Sequence, residues 1–192
     1  MTLLADIQRL VAAFAPRSDR DADAQRDFAE LFSDDRGPAR RDDGPSHATA
    51  SAFAFDPSLT LTLLVFHGKG RFWVQPGGHL ENGDATIADA ALRELREETG
   101  VTASASEPFV YDLNHHALAS AFGRCRSHLD IGVAVVVDED SPLRVSDESE
   151  DVRWWPVDAL PADVPEGFER RVRGLLDPLR SSSVSPRRPA PR

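Results

Sequence analysis

The chain predicts an α/β (α+β) sandwich in which helices cover a mixed β-sheet. Three observations carry that expectation. Apolar residues recur at helical spacing up to residue 33, and from His47 they alternate or cluster as strands do. One strongly periodic helix, residues 85–99, interrupts the strands. A last amphipathic segment, residues 166–179, follows the final strand.

Residues 2–15 place Leu3, Ile7, Leu10, Val11 and Phe14 on one helical face, and Pro16 ends that helix. Residues 19–33 predict a second helix that buries Phe28, Leu31 and Phe32. Residues 34–46 are rich in Asp, Arg, Gly and Pro, the composition of a linker. Residues 1–46 therefore read as a helical N-terminal extension, residues 47–180 as the main domain and residues 181–192 as a disordered Ser/Pro/Arg tail. Within the domain, His47–Asp56 predicts a strand and Asp56-Pro57-Ser58 a turn. Leu59–Phe66 is a β-branched, buried strand, His67-Gly68-Lys69-Gly70 a turn, and Arg71–Gln75 a short strand. Pro76-Gly77-Gly78 is a sharp bend. The helix at 85–99 has Ile87, Ala91 and Leu95 on one face, Asp84 or Thr86 to cap its start, and Gly100 to end it. A strand follows around Phe109-Val110-Tyr111, then a polar loop over 114–126. His128–Val137 is a buried strand, 138–150 an acidic loop, Val152–Trp155 a short strand and Pro156–Leu160 a helical turn. Phe168, Val172, Leu175 and Leu176 face inward from the last helix.

The 192 residues suffice for one domain with a real core. A hydrophobic content of 41% and a charged content of 28% suit a globular protein. The net charge of −10 argues against general binding to nucleic acid or anionic membranes. It leaves room for a small phosphorylated ligand, since a bound metal reverses the local field. Cys125 is the only cysteine, so no intrachain disulfide forms, in keeping with a reducing cytoplasm. No basic start precedes the first apolar run, so a signal peptide is not expected.

The densest chemistry lies in Arg93-Glu94-Leu95-Arg96-Glu97-Glu98-Thr99-Gly100-Val101, fed by Gly77-Gly78-His79. Glu94, Glu97 and Glu98 stand at i, i+3 and i+4, so all three carboxylates share one helix face. They repel one another unless a hard divalent cation sits among them. Mg²⁺ or Mn²⁺ prefers oxygen ligands and binds between carboxylates and substrate phosphates. A bland alternative is a solvated acidic face carrying Glu–Arg pairs.

These residues resemble the Nudix hydrolase family, whose pattern is G-x5-E-x7-R-E-U-x-E-E-x-G-U with U a bulky apolar residue. Here Gly78 is followed by five residues, Asp84, eight residues and Arg93. From Arg93 to Val101 every position matches. Asp84 replaces the usual Glu, and one extra residue precedes Arg93. The resemblance extends over residues 47–160 and implies a Nudix-like α/β/α sandwich. It implies hydrolysis of a diphosphate linkage in a nucleoside diphosphate joined to a further moiety X, with Mg²⁺ or Mn²⁺ as cofactor and water attacking phosphorus. Glu94, Glu97 and Glu98 match the family's metal ligands, with the Gly78 carbonyl as a further ligand. One of the three glutamates also serves the attacking water. Arg93 matches a structural residue that ties loop to helix, and Asp84 takes the partner role, the extra residue compensating its shorter reach. A homodimer is compatible with the family. The competing expectation is a Nudix-fold binding or regulatory module without turnover.

Outside the motif, Glu148 and Glu150 lie in an acidic loop from which the family often supplies a further base or ligand. Lys69 and Arg71 are cations placed to neutralise phosphate, and His79 follows Gly78 directly. Trp73 offers an aromatic face to substrate, against core packing as the alternative. Cys125-x-x-His128 contains zinc-ligand types, but no second clear pair accompanies it. His115, His116 and His128 therefore read as strand-end or surface residues.

Overall fold

The computed structural model describes residues 1–105, 109–118, 124–147 and 149–183. Its helices are α1 (Leu3–Ala13), α2 (Asp19–Leu31), α3 (Ile87–Thr99) and α4 (Phe168–Ser183). Its strands are β1 (Ser46–Phe55), β2 (Leu61–His67), β3 (Phe72–Val74), β4 (Gly77–His79), β5 (Tyr111–Ala117), β6 (Ser127–Val136) and β7 (Ser149–Pro156). The seven strands form one sheet in the order β3-β2-β1-β6-β5, with β4 on β1 and β7 on β2. β1 and β6 are parallel and the other pairings antiparallel, so the sheet is mixed, as the sequence predicts.

β1 shows how the alternation builds two layers. Ala48, Ala50, Ala52 and Ala54 face one side, and their small side chains let α3 pack close. Leu129, Ile131, Val133 and Val135 of β6 extend this face, and Ile87, Ala90, Ala91 and Leu95 of α3 cover it. Leu3, Ile7, Leu10 and Val11 of α1 and Phe28 of α2 enter the same core. Phe53 and Phe55 point the other way, against Phe168, Val172, Leu175 and Leu176 of α4. The extension is thus packed into the fold. Gln25 donates to the carbonyls of Val11 and Phe14, and Tyr111 Oη donates to the Leu10 carbonyl. Buried Asp6 accepts from the first backbone N–H of α3, that of Ile87, at 2.8 Å.

Five local expectations are corrected. Gly77–His79 is a strand, not only a bend, and pairs with Thr49–Ser51. Glycine is required there because a Cβ on Gly77 would collide with Ser51. β5 continues to Ala117, where a polar loop was expected. Its inward residues are polar but satisfied: Asp112 by Arg171, and Asn114 by Arg20. β7 already begins at Ser149, because Ser149 and Asp151 pair with His67 and Phe66 across a bulge. Residues 157–159 form a turn and bend with no helix, and α4 runs to Ser183, past the expected end at residue 179.

Candidate active site

The β4 turn and α3 bring the motif together. Thr86 caps α3 by accepting from the Asp89 N–H, and Gly100 ends it in the left-handed conformation at φ 77°. Arg93 is the hub. Its Nε and Nη2 grip both oxygens of Asp84 at 3.1 and 3.0 Å, a bidentate pair. Its Nη2 also reaches the His79 carbonyl at 2.9 Å. Its Nη1 reaches Glu94 at 2.9 Å and Glu97 at 3.0 Å. Asp84 is buried and accepts from the Glu81 N–H at 2.7 Å, closing the tight turn that leads into the motif helix. The shorter aspartate therefore still reaches Arg93. These bonds, Asp84 first, raise the Arg93 pKa and keep the guanidinium charged.

Glu94 is half-buried, Glu97 exposed and Glu98 buried, so the triplet runs from the interior to solvent. Gly78 lies beneath it: a Cβ there would sit 2.5 Å from Glu94 Oε1. This bare backbone beside Glu94, with Glu97 and Glu98 a turn further along α3, offers oxygen donors of the kind a hard divalent cation takes.

The other expected residues are dispersed. Glu150 pairs with Arg71, both exposed, and Arg71 also stacks over Phe66 at 5.0 Å. Lys69 is exposed in the β2–β3 turn. Glu148 lies outside the described residues. Trp73 is corrected to a core residue: it packs on Phe66 and Trp155 at 5.3 and 5.2 Å between ring centroids. His79 is corrected as well. Strand alternation puts Gly78 on the α3 side, so the neighbouring His79 ring turns to the opposite face of the sheet.

There the His79 ring meets His47, His128 and Cys125. Its centroid lies 5.1 Å from that of His47 and 5.2 Å from that of His128, and its Nε2 lies 3.9 Å from Cys125 Sγ. Burial, then the His47 and Arg41 charges, push His79 down to about 4. Burial, then His116, His79 and His47, push His128 down to about 3. His128 is a strand-end residue, second in β6, and its ring nitrogen is buried, as is Cys125. His47 was missed altogether. The available signal was its place at the start of β1, register partner of His128 at the start of β6.

Further along that face lies a buried polar network, also missed. Arg171 of α4 donates to Asp112 and to Asp130, the latter at 2.7 Å. Asp130 also accepts from Thr49, Ser51 and Gln75. Burial alone would raise Asp130, but Arg171 outweighs it and holds the pKa below its ordinary value. Burial wins at Asp112 and pushes its pKa up despite Arg171.

The sequence profile of the NUDIX domain matches residues 45–175. The chain belongs to the NUDIX family. Among its relatives, phosphatase NudJ of Escherichia coli (strain K12) is 43% identical over 61 residues, covering 26% of this chain and 39% of that protein. The match thus spans well under half the length of that relative. The NUDIX fold recurs in a C. elegans Ap4A hydrolase solved as a binary complex, with a TM-score of 0.58 at 17% identity, covering 70% of this chain and 98% of that one. It recurs in the E. coli dihydroneopterin triphosphate pyrophosphohydrolase, with a TM-score of 0.57 at 14% identity, covering 72% of this chain and 97% of that one. Among the described residues, no helix is long and apolar enough to cross a membrane.

Proposed function

We propose that this NUDIX protein is a divalent-metal-dependent pyrophosphohydrolase acting on a nucleoside diphosphate joined to a further moiety. One observation carries the proposal: Glu94, Glu97 and Glu98 stand at i, i+3 and i+4 on α3, Glu94 lies against the Gly78 backbone, and Arg93 braces Glu94 and Glu97. The relatives' names agree with phosphate-anhydride chemistry, and one related domain, NrtR of Shewanella oneidensis, was solved with ADP ribose. The three glutamates and the Gly78 carbonyl would hold Mg²⁺ or Mn²⁺, which would supply charge stabilisation at the phosphate and a more acidic water.

The chain's own residues do the rest. Asp84 and the His79 carbonyl fix Arg93, and Arg93 fixes the rotamers of Glu94 and Glu97. Such preorganisation lowers the cost of assembling the site when substrate arrives. Glu97, the most exposed of the three, is placed to accept the proton of the attacking water. Arg71, an exposed cation paired with Glu150, is our candidate for a contact with a substrate phosphate.

A panel of nucleoside diphosphate derivatives, assayed with Mg²⁺ for phosphate or nucleoside monophosphate release, tests the proposal. Turnover by the wild type and its loss in Glu97→Gln is the expected result. Equal rates for the two proteins on every substrate would sink it.

A further inference from the structure

We propose that His47, His79, Cys125 and His128 form a second metal site, distinct from the glutamates of α3 and built for Zn²⁺. One ligand atom from each of the four residues lies within 4.8 Å of all the others. The tetrahedron around Zn²⁺, with bonds of about 2.0–2.3 Å, has edges of about 3.3–3.6 Å, so binding needs a contraction on the order of an ångström. Three imidazoles and one thiolate suit Zn²⁺, whereas Mg²⁺ prefers oxygen donors.

The buried nitrogens point the same way. His47 is fully buried, and its Nδ1 lies 2.8 Å from the Gly44 carbonyl. That bond places the proton on Nδ1 and leaves a lone pair on Nε2. Among the described residues this Nε2 has no hydrogen-bond partner, and neither does the buried Nε2 of His128. An unsatisfied buried polar atom costs about 1–3 kcal/mol. A cation shared by the two lone pairs removes both penalties, and a ring N–H on a backbone carbonyl is the usual outer support of a metal-binding histidine. A recess lined by Arg41, Gly44, Pro45 and Arg124 opens onto Cys125 and gives the ion a way in. On binding, the Cys125 thiol loses its proton to solvent, and the neutral imidazoles keep their Nδ1 or Nε2 protons on the side away from the metal.

Four protein ligands fill a tetrahedron, so this is a structural site with no open position. It clamps the starts of β1 and β6, the turn at residues 124–126, and β4. The His79 carbonyl accepts from Arg93 while the His79 ring faces the cluster, so the clamp also steadies the motif turn.

The test uses the full chain, stripped of metal and titrated with Co²⁺ in excess Mg²⁺ to occupy the glutamates. One tightly bound Co²⁺ with a thiolate charge-transfer band and tetrahedral visible absorption is expected, and one equivalent of Zn²⁺ should abolish both. Cys125→Ser should lose the charge-transfer band, and His128→Gln should weaken Co²⁺ binding at least tenfold, with far-UV circular dichroism reporting the fold of each. Glu97→Gln should keep the full spectrum. Absence of the band in folded wild type overturns the site. Its persistence in folded Cys125→Ser, or its displacement by Mg²⁺, does so too. Because the readout is spectroscopic, it stands apart from whether any diphosphate is hydrolysed.

Discussion

Arg93 and the ring of His79 each organise a cluster of polar side chains, and they recruit them in opposite ways. The partners of Arg93 all lie within fourteen residues of it in sequence. The partners of the His79 ring come from positions 47, 125 and 128. The first cluster is charged and reaches solvent at Glu97; the second is mostly buried, and burial lowers the pKa of His79 and of His128. Mutual repulsion is relieved by a fixed guanidinium in one and by the lowered pKa of these two rings in the other. The same dipeptide, Gly78-His79, feeds both, one residue to each face of the sheet.

The contrast can be broken one cluster at a time. The largest effect belongs to Glu97→Gln, which should lower kcat by about 10²–10³-fold, the scale of losing a group that stabilises developing charge. Steady-state kinetics with Mg²⁺ measures it, and a loss below tenfold would remove Glu97 from the chemistry. Arg93→Ala comes next. It leaves the buried Asp84 carboxylate without its guanidinium and should cost about 3 kcal/mol of stability. Urea unfolding decides, and a cost near zero would show that Arg93 is not the hub.

Gly78→Ala sharpens the comparison, since its Cβ would displace the Glu94 carboxylate while leaving the His79 ring alone. About a tenfold fall in kcat with little change in unfolding midpoint is expected, as small misplacements of catalytic groups are costly. A large loss of stability would instead mean that the β4 backbone had moved.

Acid should act on the histidine side. In chelated protein the fold holds His79 at about 4 and His128 at about 3, whereas the unfolded chain titrates near the usual 6.5. Below pH 6.5 the unfolded state binds more protons, so stability is full above that value and declines as pH falls toward 4. His128→Gln should flatten the decline in urea midpoint over this window, and an identical slope would count against the assignment. Smallest of all is Arg71→Ala. Its pair with Glu150 is exposed and worth at most about 1 kcal/mol to the fold. A raised KM with unchanged Tm is the expected signature of substrate contact.

How much of this was legible followed sequence distance. The three glutamates, Asp84 and Arg93 stand in one short run, and helical spacing alone puts the carboxylates on one face. The strand succession was legible because alternation in β1 and the apolar run in β6 are strong. The histidine cluster was not, because no local spacing joins His47 to Cys125; only the parallel register of β1 and β6 does so. Asn114 misled for a related reason. An inward-facing polar residue looks like loop until Arg20, far away in the chain, is seen to satisfy it. Trp73 was ambiguous because a strand side chain has two faces, and only the position of Trp155 settles which is covered.

The cap that Asp6 places on α3 bears on where the autonomous unit ends. The family match starts at residue 45, so a fragment cloned to that border would leave out the carboxylate on the first turn of the motif helix. It would also strip from the core the residues by which α1 and α2 enter it, Leu3, Ile7, Leu10, Val11 and Phe28. Such a fragment should come out of expression as insoluble aggregate, while residues 1–183 should not. The smallest piece of this protein that folds should therefore be larger than the domain its family defines, the surplus serving the very helix by which the family is recognised.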